Sequence, residues 1–162
     1  MRFSMTPPQV LLLALLIGVV SGLRSVTAPA VVAWGAHLNW LNLRNTALSF
    51  MASTAAVAIF TLLALVELVA DKLPSTPSRT KPVGLIARIV LGGLSGAGVA
   101  VSGAQSIVLG AVLGAVGGIA GAFAGYQVRT RLVKALEVPD LVIALLEDAV
   151  AISGGLFIVS RF

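Results

Sequence analysis

Cysteine is absent from the 162 residues, which excludes disulfides, thiol chemistry and cysteine-based metal sites. Histidine occurs once, as His37, so a histidine-cluster metal site cannot be assembled within one chain. Charge is scarce as well: Asp, Glu, Lys and Arg make up 10% of the residues, against about 25% in soluble globular proteins. So sparse a set cannot cover a water-facing surface. In its place the chain is 58% hydrophobic, with a mean hydropathy of +1.05 and its apolar residues in long runs. That is the pattern a bilayer selects, and since a spanning helix takes about 20 residues, little chain is left over for a soluble unit. The expectation is one all-α integral membrane domain, 1–162, a polytopic helical bundle whose main partner is the lipid bilayer.

The net charge of +5 does not call for nucleic acid, because the lysines and arginines sit beside apolar spans and read as orienting charge. Five spans are expected: about Pro8 to Trp34, Ala47 to Ala70, Pro82 to Gly103, Ser106 to Tyr126, and Leu141 to Ser160. Pro7-Pro8 opens the first as a helix start rather than as a cleaved signal peptide. The fourth continues as a basic helical end through Arg129, Arg131 and Lys134. With five spans, Arg2, Lys72, Arg79, Lys81, Arg129, Arg131 and Lys134 fall on one side with Arg88 close by, against Arg44 and Arg161 on the other. This bias predicts the N-terminus inside and the C-terminus outside. Ala64-Leu-Val-Glu67 echoes Ala144-Leu-Leu-Glu147, and spans one and four each carry an arginine near their C-terminal end. An inverted repeat relating spans 1–2 to 4–5 would produce such echoes.

Glycines recur every four residues. Gly110, Gly114 and Gly118 form one ladder and Gly117, Gly121 and Gly125 a second on the adjacent face. Small residues at this spacing let helix backbones approach closely in lipid. Two readings stay open, packing within one bundle and self-association into a homo-oligomer. Nothing suggests a strand before these glycines, so a nucleotide-binding loop is a poor reading.

Ionisable residues inside a membrane are functional candidates, because each costs about 2.5–3.5 kcal/mol to insert even on the lenient scale. Glu67, Asp71, Arg88, Arg129, Glu147 and Asp148 all fall near one membrane face. Arg88 and Arg129 are expected to reach carboxylates on neighbouring spans, with Glu67 and Glu147 as partners. Four carboxylates against two arginines leave a surplus of acid unless Lys72 joins, and at least one of Glu67, Asp71, Glu147 and Asp148 is expected to take up a proton or hold a cation. Glu147 and Asp148 are neighbours and point about 100° apart on a helix, so they cannot serve one small ligand equally. Arg24 is placed apart, deep in span one or towards its outer end. Beside it, Gly22, Ser25, Thr27 and Pro29 form a recipe for a kinked or broken helix, whose half-helix ends with a nearby arginine can bind anions.

Several segments together resemble one family. They are Ser21-Gly-Leu-Arg-Ser-Val-Thr-Ala-Pro29, Glu67-Leu-Val-Ala-Asp-Lys-Leu-Pro74, Pro77-Ser-Arg-Thr-Lys-Pro82 with Arg88, Gly125-Tyr126 with Arg129, and Pro139-Asp140 with Glu147-Asp148. The chain is similar to the bacterial membrane proteins grouped as domain of unknown function number 4126. The resemblance implies a small protein of the bacterial inner membrane and no particular activity. A transporter or channel-like protein for an ion or small solute, coupled to protons or cations through the carboxylates, is the leading reading. A non-transporting scaffold held by glycine packing and charge clamps is the alternative. An enzyme ranks third, since no nucleophile–base pair or metal-ligand set accompanies the carboxylates, and no cofactor is called for. The candidate site comprises Arg24, Ser25, Thr27, Glu67, Asp71, Lys72, Arg79, Arg88, Arg129, Glu147 and Asp148.

Overall fold

In a computed structural model the described residues are 5–71 and 81–162, and all regular structure among them is helical. Arg2 and the candidate site residues Lys72 and Arg79 lie outside them. The helices are α1 (Pro7–Leu23), α2 (Thr27–His37), α3 (Thr54–Ala70), α4 (Pro82–Ser102), α5 (Ile107–Leu136) and α6 (Asp140–Val159), with a 3-10 turn at Ser49–Ala52 before α3. Proline opens α1 and α4, where its missing N–H would have had no helical partner. The Gln9 side chain accepts from the Thr6 N–H at 2.9 Å and closes the start of α1. Ser53 and Ser106 cap α3 and α5 through their hydroxyl groups.

Helices α4, α5 and α6 are long and apolar enough to cross a membrane, and α1 and α3 are shorter apolar helices of 17 residues. The chain is a helical membrane protein. Its packing is the reverse of a soluble domain's. Large side chains point outward, among them Leu62, Leu65, Val66 and Val69 on α3, Val112 and Val116 on α5, and Leu145, Leu146 and Val150 on α6. Glycines and alanines take much of the interior, beside larger buried side chains such as Ile17, Leu41, Leu43 and Met51. Such continuous apolar surface has no place in water and suits lipid.

The tightest packing joins α1, α4 and α5. Gly110, Gly114 and Gly118 lie against Gly96, Gly92 and the Arg88 backbone of α4, while Gly117 and Gly121 lie against Leu15, Val19 and Gly22 of α1. A Cβ added at Gly92 would come within 2.6 Å of the Gly114 carbonyl oxygen, and one at Gly22 within 2.5 Å of the Gly121 Cα. The two ladders of α5 thus serve two neighbours at once. Gly125, at the end of the second ladder, is buried beside a crevice instead.

Three expectations are corrected. The stretch from Pro8 to Trp34 is not one span. It stops at Leu23, and α2 folds back, since Gly35 at its far end meets Val159 and Leu41 while Ser25 at its start stays near Glu67. At 11 residues, α2 is about 17 Å long, little more than half of an apolar bilayer core of about 30 Å. The reversal brings the termini to one end rather than opposite sides: Met5, Thr6 and Gln9 line a cleft together with Phe157 and Arg161. The expected relation of spans 1–2 to spans 4–5 is likewise not met among the described residues. Contacts of Gly18 with Gly114 and of Gly22 with Gly121 rise together along the chain, so α1 and α5 run parallel, whereas α3 and α6 run oppositely. No single two-fold operation relates those pairs.

Candidate functional site

The break between α1 and α2 is where the charges meet. Arg24 leaves the helix with an extended backbone (φ −137°, ψ 109°), its N–H still bonded to the Val20 carbonyl. This conformation carries its side chain sideways, out of the α1 axis and into the bundle. The guanidinium is fully buried and bridges two helices, with Nε donating to Asp148 Oδ1 of α6 at 2.5 Å and Nη1 donating to Asp71 Oδ2 at the end of α3. Its Nη2 has no hydrogen-bond partner among the described residues. Taking each ion out of water costs several kcal/mol, which only close, well-directed partners offset.

Glu67 closes the start of α2. Its Oε1 accepts from the Ser25 N–H at 2.7 Å and from the Ser25 hydroxyl, and its Oε2 accepts from the Val26 N–H at 2.9 Å. A carboxylate from α3 therefore does for α2 what an N-cap side chain normally does locally, and it sits at the positive end of the helix dipole. The end of α1 is served in the opposite sense by Arg88 of α4, whose Nε donates to the Gly22 carbonyl at 3.1 Å and whose Nη1 donates to its own-helix Gly84 carbonyl at 2.9 Å. Arg88 Nη2 also lies 4.0 Å from Glu67 Oε1. The Ser21 hydroxyl, 3.1 Å from the Ser25 carbonyl and 3.2 Å from the Arg88 carbonyl, fills the remaining gap.

Pro29 does not make the break. It lies in the first turn of α2, where no N–H is required, and the interruption falls before it at Arg24-Ser25-Val26. Thr27 opens α2 and is buried. Arg24 is thus not separate from the other charges, as its place in an uninterrupted span implies, but at their centre. Both expected pairs form. Arg88 faces Glu67, and Arg129 Nη1 lies 3.5 Å from Glu147 Oε2. The stronger partner of Arg129 is Asp140, which accepts from its Nε at 2.8 Å and its Nη2 at 2.5 Å in a two-point pair. Asp140 reads in sequence only as part of a helix start. The signal for its pairing is its place just across a short connection from the basic end of α5. Adjacent Glu147 and Asp148 divide as their helical angle requires, one towards Arg129 and the other to Arg24.

Depth follows from helix rise. Arg88 is six residues beyond the start of α4 and Asp148 eight beyond the start of α6, about 9 and 12 Å along their helices. Arg88 and Asp148 thus sit about two turns in from their helix starts, towards one end of the bundle. Beside the cluster, a crevice of about 270 Å³ between α1, α5 and α6 is walled by Leu23, Gly125, Val128 and Leu146 and reaches Arg129 and Glu147. Among the described residues no group of three or more His, Asp and Glu side chains is placed to hold a metal ion. The arrangement can hold charge, exchange partners around Arg24 and expose or cover the two helix ends.

No curated protein and no solved structure matches the chain. A family model does match, over residues 11–160, a region that takes in the whole break and every charged side chain around it, and the chain therefore belongs to the family described as "Domain of unknown function (DUF4126)".

Proposed function

We propose that the protein is a small carrier or channel-like protein for an ion or small solute, working at the break between α1 and α2. One observation carries this reading: a helix interrupted within the apolar region has both free ends held by charged side chains of other helices, Glu67 at the start of α2 and Arg88 at the end of α1. Irregular backbone at membrane depth is tolerated where protein or a water-lined cavity covers it, and transporters place substrate and ion sites at such ends. Around the break, among the described residues, Glu67, Asp71 and Asp148 face Arg24 and Arg88. Carboxylates gathered at such helix ends can take up a proton or a small cation, which is the basis of the coupling we infer.

Flux into proteoliposomes, followed with a trapped pH dye and with tracer cations, tests the reading. Wild-type protein should conduct protons or a small cation above empty liposomes, and Asp148→Asn should abolish this while eluting as a folded protein. Absence of flux from wild type under imposed H⁺, Na⁺ and K⁺ gradients would overturn it. A second reading, a membrane scaffold, has its own observation: Arg24, Arg88 and Arg129 each have a carboxylate partner. If Glu147→Gln unfolds the protein and added Arg129→Gln restores it, that pair is a clamp and the scaffold gains.

The end bearing the charge cluster also bears Lys81, Arg131 and Lys134, against Arg44 and Arg161 at the other. By the positive-inside bias we place the cluster at the cytoplasmic face, with both termini on the far side. With no native cysteine, single cysteines added after Phe162 or placed at Thr6 report this cleanly. Both should label with a membrane-impermeant maleimide applied to the outside of sealed cells, and labelling of only one would overturn the paired-termini arrangement.

A further inference from the structure

The end opposite the charge cluster carries a different cavity, of about 650 Å³, between the last turn of α2, the 38–48 connection and the 3-10 turn. Its polar lining is His37, Asn39, Asn42, Arg44 and Ser49, and no carboxylate reaches it. All six acids of the chain, Glu67, Asp71, Glu137, Asp140, Glu147 and Asp148, lie at or near the other end. The cavity is built rather than incidental. Leu41 and Leu43 are buried in the core at 2% and 1% exposure, and their alternation with Asn42 and Arg44 turns the polar pair outward. The Asn42 N–H donates to the hydroxyl of Ser102, the last residue of α4, at 2.9 Å, which ties the connection to the bundle. Asn39 and Asn45 bound it with left-handed backbones (φ 59° and 61°), a conformation asparagine adopts more readily than most residues.

Hydrogen bonds then aim the cation. Arg44 Nη2 donates to Asn39 Oδ1 at 2.9 Å, and the Arg44 N–H donates to Asn42 Oδ1 at 3.3 Å. The guanidinium's partner is a neutral amide, so no carboxylate offsets its charge at the cavity. His37 lies with Nδ1 2.9 Å from the Ala52 carbonyl, which fixes the proton on that nitrogen and orients the ring. Exposed Trp34 and Trp40 flank the same turn, at the level where headgroups lie.

We propose that this cavity binds a phosphate-type oxyanion through the Arg44 guanidinium, supported by the Asn42 amide and the Ser49 hydroxyl. A planar guanidinium suits two-point contact with phosphate oxygens, and no carboxylate lines the cavity to compete as one does at Arg24, Arg88 and Arg129. A phospholipid headgroup and free phosphate share this chemistry. The proposal does not depend on the carrier reading.

Calorimetric titration of the purified protein in a neutral maltoside detergent tests it, with two probes: inorganic phosphate, and dihexanoyl phosphatidylglycerol below its micellar concentration. At least one should bind saturably at one per chain. Binding of the lipid alone assigns a headgroup site, and binding of inorganic phosphate as well assigns a general oxyanion site. Arg44→Gln should weaken binding at least tenfold. Asn42→Asp should do the same by placing a negative charge in the cavity, while keeping the oxygen that accepts the Arg44 N–H. Arg161→Gln, at the same end but seated over Phe157, should bind as wild type does. If Arg44→Gln fails to elute as a folded protein, Asn42→Asp decides alone. No saturable binding of either probe by wild type overturns the proposal, as does an equal loss in Arg161→Gln, which would mean nonspecific attraction to positive charge.

Discussion

One side of this bundle is held by the absence of side chains and the other by charge. Where α4 and α1 meet α5, glycines let backbones touch, and the contact is van der Waals attraction over a long seam. Where α2, α3 and α6 surround the break, backbones stand farther apart and Arg24, Glu67, Asp71 and Asp148 bridge the space. In lipid neither device draws on the hydrophobic effect, since lipid tails are as apolar as the side chains they meet. The glycine seam has one geometry and tolerates no added atom. The charge-held side has alternatives, because a guanidinium can exchange one carboxylate for another. The first suits a fixed frame and the second a part that moves.

The comparison breaks most sharply at Arg24. Arg24→Met should destabilise the protein by about 3–5 kcal/mol, because it removes the guanidinium shared by buried Asp148 and half-buried Asp71. Adding Asp148→Asn should restore part of the loss, and melting in detergent followed by the fluorescence of Trp34 and Trp40 would show both. Next comes the seam. Gly114→Leu, packed on backbone from both α1 and α4, should cost about 1–3 kcal/mol or more through overpacking. Gly125→Ala, beside the crevice, should cost clearly less. Equal losses at the two positions would erase the distinction between ladder and crevice. The smallest effect is expected at Glu67. Glu67→Gln keeps one acceptor oxygen but sets an NH2 group against the other N–H, so it loses one hydrogen bond, about 0.5–1.5 kcal/mol, and the charge at the helix start, about 0.3–1 kcal/mol. A loss as large as that of Arg24→Met would mean that its proximity to Arg88, not the cap, is what matters.

Much of the charge-held side is legible in the sequence. Burying an ion in lipid is costly enough that Arg88 and Arg129 must find acids, and Glu67 and Glu147 are the acids at matching depth. The glycine spacing likewise announces two close-packed faces on α5. The reversal at Arg24 is not legible, because Pro8 to Trp34 is a run of 27 mostly apolar residues, the length of one generous span. Neither glycine nor proline stands at the turn itself. What holds it is the Glu67 carboxylate, 42 residues away from Ser25, and contacts at that separation leave no local pattern. From this one missed turn follow the misplaced depth of Arg24, the separated termini and the inverted repeat.

The pairing of Arg24 with Asp148 also has a consequence for how the molecule is made. The two are 124 residues apart, and at a synthesis rate of about 5–20 residues per second the acid follows the arginine by about 6–25 s. Throughout that interval the first hairpin sits in or near the membrane with half of its central ion pair missing. Until α6 is made, Arg24 can reach Asp71 but not Asp148, so the bundle cannot close around its central guanidinium before Asp148 has been synthesised.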